Sequence, residues 1–337
     1  MSAMLLNKEK WPDFVEKLAG KRIWAPQGEG AEMRFAPVTE GETPALEYGN
    51  TRVPPKQAVF PQTETMFRFQ LGGEELEIPK LEEEAVLLGV RPCDARSMAI
   101  VDNLFSWDEN DPYYFKHREL LTMVGLACNE PGLNCFCTSV GGGPASKEGL
   151  DLLMTDLGDQ YLLEAITEKG EALLKAAGEV LEDAGDEQIK EKERLTEEAA
   201  ANIKRNVNPD GIPEGLPGLW EDPLWQRVSA SCLGCGTCTY LCPTCHCFDI
   251  QDEVEGFSAR RCRTWDSCMF NEYTMHTSGH NPRPSRRERT RNRINHKYSY
   301  YVDKFDVIAC VGCGRCINLC PVNIDIVDIL RQVKEAL

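Results

Sequence analysis

Hydrophobic and polar positions alternate along the first half of the chain in patterns that predict both helices and strands. Trp11, Phe14 and Leu18 recur at three- and four-residue spacing, which predicts a helix over residues 11–20, and KRIWAP after it predicts a strand. ETMFRFQL and AVLLGV predict two more strands. The second is nearly all apolar, which is typical of a strand buried on both faces.

The following segments continue this alternation. RPCDARSMAIVDNLF turns from a strand end into a predicted helix, LLTMVGLAC predicts a second buried strand, and LDLLMTDLGDQYLLEAIT predicts a strand pair around Gly158. Residues 168–205 have a helical and strongly acidic pattern, typical of a solvated helical face. NVNPDGIPEGLPGLWEDP is rich in proline and glycine and predicts a linker. We therefore expect a mixed α/β domain at 1–205, a linker at 206–222 and a second domain at 223–337.

The second domain contains one cysteine pattern twice. SCLGCGTCTYLCP at 231–243 and ACVGCGRCINLCP at 309–321 share the spacing C-x2-C-x2-C-x3-C-P. Three cysteines at two-residue gaps let one loop bind three corners of a cubane 4Fe–4S cluster, and the glycines between them permit the close turns. The repeat predicts a bacterial-type two-cluster ferredoxin domain with a long insert at 243–309. The expected fold class of the whole chain is α+β.

The fourth cysteine of each motif is expected to bind the cluster of the other motif, as in two-cluster ferredoxins. The expected ligands are Cys232, Cys235, Cys238 and Cys320 for cluster 1, and Cys310, Cys313, Cys316 and Cys242 for cluster 2. Zinc is the alternative, because paired C-x2-C knuckles also form four-cysteine zinc sites. A zinc site needs neither the third cysteine nor the proline, so the pattern favours clusters that pass single electrons.

The N-terminal domain has four cysteines of its own, which are Cys93, Cys128, Cys135 and Cys137. The first two each follow a predicted buried strand, and the other two lie in a loop bounded by glycine and proline. Three loops can therefore converge at one sheet edge, and four thiolates suit a third 4Fe–4S cluster. The alternative is that Cys93 and Cys128 are small buried hydrophobic residues.

The insert supplies the remaining cysteines, which are Cys245, Cys247, Cys262 and Cys268. A fourth cluster there competes with simple packing, because Cys245 and Cys247 follow a ligand loop so closely that they can pack beneath it. His246 between them is interpreted as a hydrogen-bonded structural residue rather than a ligand.

Charge and composition then restrict the expected partners and cellular compartment of the chain. The 337 residues carry a net charge of −17, which argues against nucleic acid as a partner. The N-terminal segment MSAMLLNKEKWPDFVEKLAGK predicts an amphipathic helix with charges throughout instead of the apolar run of a signal peptide, so the sixteen cysteines are expected to be reduced thiols in the cytoplasm. No stretch approaches the ~20 consecutive apolar residues that a membrane helix needs, and no membrane association is expected.

One basic segment, NPRPSRRERTRNRINHK at 281–297, departs from the acidic background. We expect a salt-bridged structural arm or a subunit contact there, because arginine forms two-pronged pairs with carboxylates. RNA binding is disfavoured because no aromatic platform accompanies the arginines. VGGGP at 140–144 lacks the signatures of a P-loop and of a dinucleotide fold, so flavin and nicotinamide are expected to bind on another chain.

Several segments carry a family resemblance across almost the whole chain. They are RVPPKQAVFPQTETMFRF at 52–69, LLGVRPCDARSMAIVDNLF at 87–105, VGLACNEPGLNCFCTSVGGGP at 124–144, TDLGDQYLLE at 155–164, and CPTCHCFDI with WDSC in the ferredoxin part. The chain resembles the iron–sulfur electron-transfer subunit family of cytosolic anaerobic oxidoreductases. That family includes the beta subunit of nickel–iron sulfhydrogenases and the corresponding iron–sulfur protein of anaerobic sulfite reductase.

The resemblance implies a multi-subunit anaerobic complex in which this chain lies between a flavin subunit that oxidises NAD(P)H and a second catalytic subunit. Family members also occur beside heterodisulfide-reductase-like and transhydrogenase modules, so the identity of the second subunit stays open. Two hypotheses remain for the chain. It is a non-catalytic electron relay, or its N-terminal domain is a reductase whose active centre is the cluster at Cys93, Cys128, Cys135 and Cys137. Four protein thiolates favour the relay, and an open ligand position there favours the reductase.

Overall fold

The computed structural model of the chain describes residues 3–18, 20–39 and 41–337. Within these residues there are twelve strands and twelve α-helices, joined by loops and short 3-10 turns. The strands are β1 (Ala3–Asn7), β2 (Arg22–Gln27), β3 (Arg34–Pro37), β4 (Thr63–Gln70), β5 (Leu76–Glu77), β6 (Ala85–Val90), β7 (Leu121–Leu126), β8 (Leu152–Asp156), β9 (Gln160–Ala165), β10 (Glu182–Asp183), β11 (Phe248–Glu255) and β12 (Ser258–Trp265). The helices are α1 (Trp11–Glu16), α2 (Pro92–Phe105), α3 (Pro112–Leu120), α4 (Glu168–Ala177), α5 (Asp186–Asn202), α6 (Ile212–Gly215), α7 (Leu224–Ser229), α8 (Thr237–Tyr240), α9 (Arg286–Asn295), α10 (Tyr301–Phe305), α11 (Arg315–Asn318) and α12 (Ile326–Ala336). A π-helical turn, His296–Tyr300, joins α9 to α10.

A sheet of eight strands organises the N-terminal part of the chain, in the order β10-β1-β9-β8-β7-β6-β2-β3. Its centre is parallel, because β2, β6, β7 and β8 run in one direction, and the flanking strands are antiparallel. β6 and β7 are buried along almost their whole length, as their apolar sequences predict. α1 and α4 pack on one face of the sheet and α2 on the other.

The predicted strands and helices of this part are confirmed with two corrections, the first of which is that Ala3–Asn7, predicted as part of an amphipathic helix, form the strand β1 between β9 and β10. The strand pair around Gly158 is the antiparallel β8–β9 hairpin, and the acidic segment forms α4 and α5. The helix predicted over residues 11–20 is shorter, since α1 ends at Glu16; residue 19 lies outside the described residues. Gly20 has a φ of 92°, which glycine adopts without steric cost, and it turns the chain into β2.

The carboxyl ends of the central strands position four cysteines. β6 and β7 are parallel neighbours, so both end at the same edge of the sheet. Cys93 follows β6 in the first turn of α2, and Cys128 follows β7. The loop that continues from Cys128 carries Cys135 and Cys137 over the same edge. The topology therefore brings three separate segments to one place.

A second sheet joins the insert to the N-terminal part. Its four antiparallel strands have the order β11-β12-β4-β5, so a hairpin from the insert pairs with a strand that precedes the linker. Arg261 pairs with Phe67, and a bulge follows at Cys262, which pairs with Thr65. The indole of Trp265 at the end of β12 is buried in the core that contains α2 and donates a hydrogen bond to the carbonyl of Phe60 at 3.0 Å.

The two cysteine motifs and the C-terminal helix form the remaining core. α12 begins at Asp325, whose side chain accepts a hydrogen bond from the N–H of Val327 and caps the first turn. Ile329 and Val333 of α12 are buried against α6, α7 and the motif loops, so the predicted apolar face packs on the ferredoxin core. The predicted fold class, a mixed α/β part followed by a ferredoxin-type part, is confirmed. None of the helices in the described part of the chain has the length and apolar character needed to cross a bilayer.

Candidate metal centres

The two cysteine motifs fold into loops of nearly identical backbone conformation. The first glycine of each loop, Gly234 or Gly312, has a φ of 69° or 63°, and the second, Gly236 or Gly314, has a φ of 75° or 74°. The second glycine in each case precedes a short helix, α8 or α11, and these two helices contact each other. The sequence repeat is therefore also a structural repeat.

The first motif shares a cavity with the last cysteine of the second motif. The cavity is lined by Cys232, Cys235, Cys238 and Cys320, together with apolar residues of α12. The N–H of Gly234 donates to the Cys232 sulfur at 3.4 Å, and the N–H of Ile324 donates to the Cys320 sulfur at 3.2 Å. Backbone N–H groups aimed at sulfur stabilise thiolate ligands and tune a bound cluster. Three thiols from one loop and a fourth from the other motif suit a 4Fe–4S cluster.

The second motif lies between two cavities. Cys316 borders the cavity of the first motif, and Cys313 borders the cavity of the N-terminal cysteines. Burial raises the pKa of Cys316 to about 11, with Arg293 acting against this and the charge of Cys242 adding to it. The ammonium of Lys297 donates to the Cys242 sulfur at 3.3 Å. Cys242 thus lies among the cysteines of the second motif and next to a buried cation.

The four N-terminal cysteines converge on one cavity of about 100 Å³. Its lining includes Cys93, Cys128, Cys135 and Cys137, with Cys313 of the second motif beside them. Burial raises the pKa of Cys137 to about 12 and raises that of Cys93 well above its usual range. A thiolate at this depth needs compensation by a positive group. Four thiol donors around one cavity fit a 4Fe–4S cluster, whose irons supply that charge.

The loop VGGGP helps to close this cavity instead of presenting a phosphate site. Gly143 and Pro144 line it, and the carbonyl of Pro144 accepts a hydrogen bond from the N–H of Cys128 at 2.9 Å. Arg91 donates to the carbonyl of Ala127 at 2.8 Å and thereby holds the end of β7. The segment therefore has a structural explanation.

The N-terminal cysteine loop and the second motif are in direct backbone contact. The N–H of Phe136 donates to the carbonyl of Gly312 at 2.8 Å. A Cβ atom built on Gly312 meets backbone atoms of Phe136 and Cys137 at 2.5 Å, a distance too short for any side chain. Glycine at this position is therefore needed for the close approach as well as for its positive φ.

The four insert cysteines do not line one cavity. Cys245, Cys247 and Cys268 line a cavity of about 300 Å³. Cys262 does not line it, because it is fully buried on β12 with its sulfur 4.0 Å from the Thr65 hydroxyl. Because β12 lies between β11 and β4 in the sheet, the side chain of Cys262 is held toward Thr65. Among the described residues, no three His, Cys, Asp or Glu side chains are set for a single metal ion.

The second half of the basic segment, residues 289–297, is mostly buried inside the molecule, which the sequence interpretation as an arm or subunit contact did not include. Arg287 and Arg291 do pair with Glu221, at 2.8 and 3.3 Å. Arg293 and Lys297, however, are buried against the cysteine loops, and Arg293 lines the cavities of both the first motif and the insert cysteines. The cations face thiols. In the sequence, only the position of these cations between the two cysteine motifs indicated that they contact the cysteine loops.

Two more buried cations were not singled out from the sequence. Lys56 donates to the carbonyls of Cys242 and Cys245 at 3.0 and 2.8 Å. Burial lowers the pKa of Lys56 to about 8, although the charges of nearby cysteines act to raise it. Arg315, in the second motif, pairs with Asp94. Buried positive groups beside thiolate-bound clusters compensate the net negative charge of those clusters.

Thiol-lined cavities at two loops of matching conformation define an iron–sulfur protein of the two-cluster ferredoxin type. Residues 231–324 match the family described as a 4Fe-4S dicluster domain, which supports at least two 4Fe–4S clusters. The chain is 31% identical over 341 residues, covering 100% of both proteins, to sulfhydrogenase 2 subunit beta of Pyrococcus furiosus. It therefore belongs to the same iron–sulfur electron-transfer subunit family. No solved structure matches the chain with significance.

Proposed function

We propose that this chain relays electrons through a series of three 4Fe–4S clusters. The observation that carries the proposal is the position of the second motif, whose Cys313 borders one thiol-lined cavity and whose Cys316 borders another. A cluster bound by the second motif would then lie between clusters bound at these two cavities, an order that suits stepwise transfer of single electrons. Such clusters accept and pass single electrons and make no bonds themselves.

The proposed ligand sets of clusters 1 and 3 follow the cavities, and that of cluster 2 follows the exchange of fourth ligands between the two motifs. They are Cys232, Cys235, Cys238 and Cys320 for cluster 1, Cys310, Cys313, Cys316 and Cys242 for cluster 2, and Cys93, Cys128, Cys135 and Cys137 for cluster 3. Cluster 2 is then the middle of the series, and clusters 1 and 3 are its two ends. The protein adjusts the potentials through burial, N–H bonds to sulfur and the buried cations.

Both ends of the series have an exposed apolar residue in a cluster loop. Leu133, two residues before Cys135, is 97% exposed, and Leu233, directly after Cys232, is 62% exposed. Exposed apolar side chains beside a redox centre suit docking of a partner that must approach closely. We propose that each loop contacts a different partner, so that electrons enter at one and leave at the other.

The proposed partners are a flavin-containing subunit that oxidises NAD(P)H and a second catalytic subunit, within a cytoplasmic anaerobic oxidoreductase complex. The relative from Pyrococcus furiosus is named as the beta subunit of a sulfhydrogenase, which supports a role within a complex. The relay is favoured over the reductase alternative because four thiols surround the cavity of cluster 3, which leaves no open ligand position there. The second catalytic subunit is of hydrogenase, sulfite reductase, heterodisulfide-reductase-like or transhydrogenase type.

The test uses the anaerobically purified chain alone and with a flavoprotein. The dithionite-reduced chain is expected to re-oxidise with an artificial acceptor, while NADH or NADPH is not oxidised until a flavoprotein partner is added. Nicotinamide oxidation is followed spectrophotometrically with the same chain concentration in both arms. Sustained turnover by the single chain, free of flavin and of other polypeptides, would overturn the relay and support the reductase alternative.

A further inference from the structure

A third thiol-lined cavity lies outside the proposed relay. Cys245, Cys247 and Cys268 line it. Its volume of about 300 Å³ compares with about 100 Å³ for the cavity of the four N-terminal cysteines. This cavity thus has one thiol fewer and about three times the space. It has room for a cluster and for a small ligand beside the cluster.

The walls of this cavity are positive. Arg283, Arg293 and Lys297 line it together with His246 and His296, and no carboxylate does. Arg293 is 6% exposed, its Nη2 donates to the Cys238 carbonyl at 3.5 Å, and its Nε has no hydrogen-bond partner among the described residues. A buried guanidinium without an anion is costly, so the site is built to face negative charge. Iron–sulfur clusters with thiolate ligands carry such charge.

A fourth cysteine ligand is not at hand. Cys262 lies on β12 away from the cavity, and Cys242 lies with the second motif. Cys242 is nevertheless close: Lys297, which lines the cavity, donates to the Cys242 sulfur at 3.3 Å, and Lys56 donates to the carbonyls of both Cys242 and Cys245 at 3.0 and 2.8 Å. A group bound at the insert cysteines would therefore lie next to cluster 2.

We propose that Cys245, Cys247 and Cys268 bind a fourth 4Fe–4S cluster through three of its irons, and that the fourth iron is open to the cavity and takes a small anionic ligand. The inference rests on the proposed relay, from which cluster 2 would supply electrons to this branch. Arg283 and Tyr300, which are partly exposed, border the cavity where the ligand enters. The chain then has a ligand-binding iron in addition to its electron path.

The open iron gives the test its readout. An iron without a thiolate leaves easily: ferricyanide accepts one electron from the cluster, the open iron departs as a ferrous ion, and a 3Fe–4S cluster remains. Anaerobically purified wild-type chain treated with ferricyanide is expected to give an electron paramagnetic resonance signal of about one 3Fe–4S cluster per chain. Cys268→Ala and Cys247→Ala are expected to abolish that signal and to lower the iron content by about four atoms per chain.

Cys262→Ala is the matched control, because this cysteine belongs to the same insert but does not line the cavity; it should keep the signal. Dithionite-reduced samples of each variant report the relay clusters separately, so that loss of all cluster signals would point to failure of the proposed function instead. The inference is overturned if the wild type shows reduced-cluster signals but forms no 3Fe–4S cluster, or if the signal persists undiminished in Cys268→Ala.

Discussion

Arg315 and Asp94 form a two-pronged ion pair in the interior, with Nη1–Oδ1 and Nη2–Oδ2 distances of 2.5 and 2.7 Å. Both side chains are almost completely buried. Arg315 precedes Cys316 of the second motif, and Asp94 follows Cys93 of the N-terminal group. The pair therefore fixes two cysteine-bearing segments from distant parts of the sequence in one geometry, which a relay between them requires.

Breaking this ion pair should destabilise the protein strongly. Arg315→Met leaves the Asp94 carboxylate buried without its partner, which costs about 3–5 kcal/mol of unfolding free energy. The urea midpoint under anaerobic conditions measures the loss. Arg331→Met is the control, since Arg331 pairs with Asp328 at the surface and should cost less than about 0.5 kcal/mol. Equal midpoints for the two variants would contradict the structural role of the buried pair.

Exchange of fourth ligands between the motifs predicts a long-range effect. Cys320→Ser should damage the cluster of Cys232, Cys235 and Cys238, because Cys320 lines their cavity. Electron paramagnetic resonance of the reduced protein, together with iron analysis, resolves which cluster is affected. The unaltered chain should contain at least about eight irons, and about twelve with cluster 3. Damage confined to the cluster of the second motif would refute the exchange.

Removal of the Lys297 charge should lower the reduction potential of cluster 2. The ammonium lies 3.3 Å from the Cys242 sulfur in a buried position, and a positive charge favours the reduced cluster because reduction adds negative charge. Lys297→Met should therefore make this cluster harder to reduce, as measured by an anaerobic redox titration followed by electron paramagnetic resonance.

Lys304→Met is the matched control for that measurement. Lys304 is exposed and lies over the ring of Trp107, so solvent screens its charge. Its removal should leave the potential of cluster 2 unchanged. A shift of similar size in both variants would show that Lys297 does not act through its proximity to the cysteine.

The equivalent glycines Gly234 and Gly312 allow the cost of backbone strain to be measured separately from the cost of a steric clash. Gly234→Ala and Gly312→Ala introduce the same strain, because the φ values are 69° and 63°, at a cost of about 1–2 kcal/mol each. At Gly312 the new methyl also meets backbone atoms at 2.5 Å, whereas at Gly234 its nearest contact is 3.6 Å. Gly312→Ala should thus lower the urea midpoint further and weaken the signal of cluster 3. A larger loss from Gly234→Ala would contradict this reading.

Local spacing in the sequence predicted much of the architecture. Apolar runs identified β6 and β7 as central strands, and their ends predicted where Cys93 and Cys128 lie relative to each other. The repeated glycines likewise predicted two similar loops, as the φ values of Gly234 and Gly312 show. These predictions succeed because the physical cause, strand burial or a tight turn, acts over a few neighbouring residues.

Contacts between segments that are distant in the sequence were not predicted. Cys262 was grouped with the other insert cysteines because spacing cannot reveal that β12 pairs with β4 and turns its side chain toward Thr65. Arg293 and Lys297 were interpreted as part of a salt-bridged arm or a subunit contact, since cations are almost never buried unless paired. In the proposed relay the negative partners of these cations are cysteine thiolates and the clusters that they bind. A cluster is a cofactor, so no residue in the sequence indicates its charge.

The pairing of β12 with β4 also has a consequence for synthesis of the chain. β4 leaves the ribosome nearly two hundred residues before β12, so until then it has only the two-residue strand β5 beside it and presents an open edge. Sequence-distant pairing of this kind is slow, and unpaired edges invite association with other chains. The nascent protein is therefore most vulnerable to aggregation before β12 emerges, and early chaperone protection of the N-terminal half should improve the yield of holoprotein.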